Sequence, residues 1–220
     1  MPVIEHARSR KPPGYRSNNH SKWEFDNRLY QKHLELYLDK MYRCLVSTGA
    51  RQVLDAGCGE GIVYRAMRER GWTGEWTGFD YSEEAIVFAR QASPEAEWRQ
   101  ASAYEIPFAA NSFELIFSSQ VLEHLPDPQT PLKEYARVAR RYLLLSVPLE
   151  PVFRTLTRIS VMTKLGQDPG HVNFWTPAAF RRFVKQADEL SAWDWTTIYQ
   201  IALVEIPHSG VGEPSREHSR

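Results

Sequence analysis

Between residues 26 and 46 the apolar positions return three or four apart, at Leu29, Tyr30, Leu34, Tyr37, Leu38, Met41, Tyr42 and Leu45, with Gly49 as a stop. This spacing predicts an amphipathic helix that packs on the segments C-terminal to it. The pattern then changes. Short apolar runs at 52–55, 75–80, 97–100, 113–118 and 142–147 alternate with helical stretches at 62–70, 82–92 and 130–139. Such runs suit strands buried on both faces, and the helices between them serve as crossovers, so a mainly parallel α/β sheet covered on both sides is expected. Ser82 followed by Glu83 and Glu84 has the form of an N-cap with acidic first-turn residues.

Beyond Pro148 the periodicity loosens into a short helical insertion at 150–165 and a turn at 166–170. Thr176-Pro177 then opens a helix through residue 187 with Phe180, Phe183 and Val184 on one face. Two further apolar segments, 192–196 and 198–206, suit strands that close the sheet edge. Residues 1–22 are rich in Pro, Arg, Ser and Asn and read as a flexible arm, residues 207–220 as a flexible tail, and residues 23–206 as a single domain. At 220 residues one α/β domain with a full core is the default.

Charge narrows the partners. The 27 basic and 27 acidic side chains cancel, so no global field points to nucleic acid or an anionic membrane. The local basic run of Arg8, Arg10, Lys11, Arg16 and Lys22 reads as a solvated tail. No apolar run approaches the roughly 20 residues that span a bilayer, and the N-terminus lacks the apolar core of a secretion signal. Cys44 and Cys58 are the only cysteines, and pairing Cys58 would disturb the glycine loop around it. A reduced, cytoplasmic setting is expected.

That loop carries the chemistry. Val53 to Gly61 reads Val-Leu-Asp-Ala-Gly-Cys-Gly-Glu-Gly, a buried strand ending in an acid and three alternating glycines, followed by a helix whose amide end faces the same crevice. A dinucleotide fingerprint fails on spacing, because its third glycine would fall at Ile62. Asp55 would also repel a pyrophosphate, whereas it suits a cationic ligand.

Val53 to Gly61 resembles the first motif of class I S-adenosylmethionine-dependent methyltransferases. Gly78-Phe79-Asp80-Tyr81-Ser82, Ile106-Pro107-Phe108, Asn111 to Ile116 and Val121 to Asp127 resemble later motifs in the same order, so the resemblance spans residues 50–148. It implies a Rossmann-like, doubly wound, seven-stranded mostly parallel sheet with an antiparallel last strand, and S-adenosyl-L-methionine as cofactor. By the same resemblance, Gly57, Gly59 and Gly61 border the methionine portion and Asp55 acts through the ammonium or its water shell. Asp80 accepts from the ribose hydroxyls, and Tyr81 either lies on the adenine face or packs ordinarily. Relatives carry Gly-Asp-Ala where this chain has Ala101-Ser102-Ala103. Ser102 is a shorter, neutral acceptor for the adenine amino group, and the Ala103 amide is expected to keep its adenine contact.

Ser118 and Ser119 end the fourth strand, either beside the cofactor's amino acid end or as a polar cap. Methyl transfer chiefly needs positioning, but an acidic acceptor also wants a base, and His124 and His171 are the candidates. Each has a structural alternative, as a link between strand and helix or as a satisfied hydrogen-bonding imidazole. The aromatic residues Tyr15, Trp23, Phe25, Tyr30 and Trp175 form either a lid over a flat acceptor or ordinary packing. A small-molecule acceptor is expected, because the chain lacks the Asn-Pro-Pro-Tyr-type segment of many nucleic-acid methyltransferases. No metal-ligand cluster has recognisable spacing. A nicotinamide-dependent oxidoreductase is disfavoured by the glycine spacing. A non-catalytic cofactor-binding domain stays open.

Overall fold

In the computed structural model, residues 28–153, 155, 170–196 and 198–207 are described. The expected arm, most of the 150–165 insertion, most of the 166–170 turn and the tail beyond residue 207 lie outside them.

Helix α1 (Arg28–Ser47) is followed by β1 (Gln52–Ala56), α2 (Ile62–Glu69), β2 (Glu75–Asp80), α3 (Glu83–Ala92), β3 (Glu97–Gln100) and β4 (Phe113–Ser119). Then come α4 (Gln129–Val138), β5 (Ala139–Pro148), α5 (Pro177–Val184), β6 (Glu189–Trp195) and β7 (Tyr199–Glu205). The seven strands form one sheet in the order β3-β2-β1-β4-β5-β7-β6. β1 to β5 pair in parallel, and only β7 runs against its two neighbours. The winding reverses between β1 and β4, which leaves a crevice at the carboxyl ends of those strands, where ligands bind in folds of this kind.

Period-two alternation divides the core. Val53, Leu115, Phe117 and Leu144 face one layer together with Leu34, Tyr37, Leu38, Met41 and Leu45 of α1, Tyr64 and Met67 of α2 and Ile86 of α3. Leu54, Ile116, Leu143 and Leu145 face the other, against Leu132 and Tyr135 of α4 and Phe180 and Phe183 of α5. Ser82 caps α3 by accepting from the Ala85 amide at 3.2 Å, and Thr176 caps α5 in the same way.

Several boundaries shift. α5 stops at Val184 rather than 187, because residues 185–187 form a turn. α4 passes directly into β5 at Ala139, so that strand starts three residues before the expected position. A 3-10 turn at Leu122–His124, unmarked by any apolar period, follows β4. Among the described residues no helix is long and apolar enough to cross a membrane.

Trp98 of β3 ties the sheet to the first loop. It is buried, its indole donates to the Ser93 carbonyl at 2.8 Å, and Tyr64 meets it edge-on at 5.5 Å. Trp98→Ala is expected to cost about 3–5 kcal/mol in urea unfolding. A loss below about 1 kcal/mol would show that the indole is not a packing keystone.

Candidate functional site

The crevice is built from the ends of β1, β2, β3 and β4. Asp55 pairs with Gly78 on one side and Phe117 on the other, which leaves its side chain 1% exposed. Burial, reinforced by the negative charge of Asp80 and opposed by the Trp76 indole, pushes its carboxyl up to about 8. Its Oδ2 has no hydrogen-bond partner among the described residues.

The chain leaves β1 through Gly57, Gly59 and Gly61, all at positive φ. The amides of Gly57 and Cys58 both donate to the Phe79 carbonyl at 2.9 Å, fixing the turn against β2. Two of these glycines are required by space as well as by φ. A Cβ on Gly57 would stand 2.5 Å from a Val121 methyl, and one on Gly61 would stand 2.7 Å from the Trp98 ring. The loop is therefore walled on both sides, and α2 starts at Gly61 without a side-chain cap.

Asp80 closes this cradle. Its Oδ2 accepts from the Gly59 amide and its Oδ1 from the Ser82 amide, each at 2.9 Å. Burial raises its pKa, while these two amides pull it back. Tyr81, at 81% exposure, stands out beside it. Gln100 pairs with Asp80 across β3, so Ala101, Ser102 and Ala103 follow at the same edge. The Ser102 hydroxyl is engaged in its own turn, accepting from the Tyr104 amide at 3.2 Å, and Ala103 packs against the core beneath.

At the end of β4, Ser118 is buried 3.5 Å from the Tyr135 hydroxyl. Ser119 shares a 2.7 Å hydrogen bond with Tyr37 of α1, and Tyr37 also hydrogen-bonds Ser146 of β5. Gln120, at φ 59°, donates through Nε2 to the Ser146 hydroxyl at 3.2 Å. Burial drives Tyr37 up to about 12, so it is a neutral hydrogen-bonding hub.

The 3-10 turn supplies Glu123, which is 0% exposed, and His124. The segment entering α5 lies across that turn, with the Val172 and Asn173 amides donating to the Glu123 carbonyl at 2.9 and 3.1 Å. His171 thereby meets His124 edge-on, with ring centroids 4.9 Å apart. Trp175 is buried against Phe180 and Phe183, the packing alternative for this aromatic. Tyr15, Trp23 and Phe25 lie outside the described residues.

Residues 54–143 match the family described as methyltransferase domain. A probable S-adenosylmethionine-dependent methyltransferase of Mycobacterium tuberculosis is 35% identical over 124 residues, 56% of this chain and 43% of that protein. Residues 54–143 are thereby similar to the methyltransferase domain of the class I S-adenosylmethionine-dependent methyltransferases.

S-adenosylmethionine is thus its cofactor. A ubiquinone biosynthesis O-methyltransferase of Idiomarina loihiensis is 31% identical over 166 residues, covering 70% of this chain and 63% of the relative. The chain spans less than half the length of the mycobacterial relative. The fold also matches the crystal structure of magnesium protoporphyrin IX methyltransferase from Synechocystis PCC 6803 with bound SAH, with TM-score 0.66 and 16% identity over 93% of this chain and 94% of that one.

The residues present fit the cofactor's chemistry. Asp55 offers a buried acceptor suited to a cation, the glycine turn allows close backbone approach, and each Asp80 oxygen keeps lone-pair capacity beyond its amide. Sequence reasoning missed Tyr37 and Glu123. Tyr37 sits at an ordinary core position of an amphipathic helix, and Glu123 lies 48 positions before His171 in the chain.

Asp55 makes cofactor-free stability depend on pH. A carboxyl raised from 3.8 to about 8 contributes stability that is fully present below its unfolded pKa and is lost as pH rises through the folded one. Thermal midpoints of cofactor-free protein should therefore fall between about pH 5 and pH 8, and Asp55→Asn should flatten much of that decline. Parallel declines in both proteins would remove Asp55 as the cause.

Proposed function

We propose that this methyltransferase holds S-adenosylmethionine in the Asp55–glycine–Asp80 cradle and methylates a hydroxyl of a small-molecule acceptor. The observation that carries the reading is the Asp80 carboxylate, 2.9 Å from the Gly59 amide and facing the crevice where β1 and β2 end. The O-methyltransferases among the relatives support an oxygen acceptor. S-adenosylmethionine supplies a methyl group on a sulfonium that an in-line nucleophile can displace.

The side chains divide the remaining work. Asp55 faces the cofactor's ammonium, which offsets the burial that otherwise favours the neutral acid. Gly57, Gly59 and Gly61 border the methionine portion. Asp80 accepts from the ribose hydroxyls while bracing the loop. Tyr81 covers the adenine, and Ser102 and Ala103 edge it, with Ser102 contributing a weaker contact because its hydroxyl serves the Tyr104 amide. Ser118 and Ser119 border the amino acid end, Ser119 being fixed from behind by Tyr37. Glu123, His124 and His171 form the acceptor-side polar cluster, where a neutral imidazole takes the proton as the hydroxyl oxygen attacks the methyl carbon. Positioning contributes most, because displacement requires the oxygen close to and in line with the methyl carbon.

Calorimetry tests the cradle directly. Asp80→Ala should weaken S-adenosylmethionine binding by about 1–3 kcal/mol, since it removes charge-assisted acceptors and loosens the glycine loop. Unchanged affinity would sink the ribose assignment. With a methyl-labelled cofactor and fractionated cell extract, the labelled product should be a small molecule carrying a new methyl ether. His124→Ala should lower its rate of formation by about 10²–10⁴-fold with cofactor affinity retained. Full turnover in that variant would separate the cluster from the chemistry, and tight cofactor binding without any labelled product would favour a regulatory domain.

A further inference from the structure

Two adjacent side chains and a third from a distant segment converge beside the crevice. Glu123, His124 and His171 each present one ligand atom, and the three atoms lie within 4.8 Å of one another. The backbone holds the arrangement in place. Besides the two amides on the Glu123 carbonyl, the Asn173 side-chain amide donates to the Leu122 and Leu125 carbonyls at 3.2 and 2.6 Å, bracketing the 3-10 turn. Phe153 stacks on His171 with centroids 5.1 Å apart and a 29° interplanar angle, which fixes the plane of that imidazole. The two segments are joined by main-chain and amide contacts at four points, which fix the backbone from which the three side chains project.

We propose that Glu123, His124 and His171 bind a divalent transition cation of the Zn²⁺, Mn²⁺ or Co²⁺ class that takes the acceptor's oxygen as a further ligand. Two imidazoles and one carboxylate form a three-ligand set with open positions, and imidazole selects these metals over Mg²⁺ and Ca²⁺. Ligand bonds of about 2.0–2.2 Å require the three donors to draw together by about 1–2 Å, which side-chain rotation provides.

The position suits the reaction. Val121, two residues before Glu123, forms the wall against Gly57, which places the cluster next to the glycine turn. A hydroxyl bound to the cation is acidified and its proton leaves to water. Its oxygen then forms the new bond to the methyl carbon as the carbon–sulfur bond breaks, with that electron pair passing to sulfur. With the cation bound the imidazoles are its ligands, and the proton they would otherwise take passes to water. This inference rests on the hydroxyl-methylation reading, but metal binding can be measured without turnover.

The test uses the full chain without an affinity tag, stripped with EDTA and dialysed. Co²⁺ titration should give visible absorption bands saturating at one equivalent, and equilibrium dialysis with Zn²⁺ should retain one ion per chain. His124→Ala and His171→Ala should each weaken Zn²⁺ binding at least tenfold while S-adenosylmethionine binding by calorimetry is kept, and the conservative His171→Asn covers a failure of the alanine variant to fold. Wild-type protein that gives no Co²⁺ bands and retains no Zn²⁺, yet binds S-adenosylmethionine, overturns the cation site and leaves the methyltransferase reading standing. Variants that bind Zn²⁺ as tightly as wild type overturn the ligand assignment. One equivalent of bound Zn²⁺ in a chain that fails to bind S-adenosylmethionine supports the site and counts against the methyl-transfer reading instead.

Discussion

The glycine turn after β1 is confined between two side chains from elsewhere in the sheet, and most of the crevice follows from that confinement. Val121 arrives from beyond β4 and Trp98 from β3, and each leaves too little room for a methyl group at its facing glycine. A backbone held this way presents its amides in a fixed direction and brings a ligand close to the main chain. Asp80 adds the third restraint by accepting from the middle of the turn. The shape of the cradle is thus set by steric walls and one carboxylate, with little left to the turn's own preferences.

Polar groups at the strand ends are arranged around that turn at different electrostatic cost. Asp55 and Glu123 are both removed from water, and a buried carboxylate is tolerated only with a compensating partner or a bound proton. The Tyr37, Ser119, Gln120 and Ser146 network is cheaper, because neutral hydroxyls and an amide satisfy one another without net charge. It lies directly behind the residues that face the crevice and stiffens them.

Much of this was legible in the chain. The alternation of short apolar runs with helical periods gave the parallel sheet and both helical layers, because the central strands are buried on two faces and each crossover helix on one. The acid–glycine turn and the acid at the end of β2 marked the crevice where the cofactor is proposed to bind, since their spacing follows from two adjacent parallel strands. The acceptor side was not readable in the same way. Glu123 and His171 are brought together by hydrogen bonds between a 3-10 turn and an irregular segment, neither of which has a hydrophobic period. Tyr37 was concealed by an apolar stripe in which a hydroxyl is indistinguishable from any other large core residue. Gln120 occupies a left-handed conformation that its residue type does not advertise.

The two walls of the glycine turn also bear on how the protein reaches its working state. Residues 52–80 hold β1, the turn, α2 and β2, a contiguous unit, yet the side chains that confine the turn come from residues 98 and 121. A chain that has paired only β1 with β2 possesses the turn's sequence without its shape. β3 pairs with β2 at a separation no greater than that between β1 and β2, as Thr77 opposite Glu97 and Val53 opposite Trp76 show. β4 instead pairs with β1 far along the chain, Val53 opposite Leu115, so the Val121 wall belongs to the late part of assembly. The cradle is therefore a reporter of completed sheet order, and a cofactor that recognises it draws the folding equilibrium toward chains in which both flanks have closed.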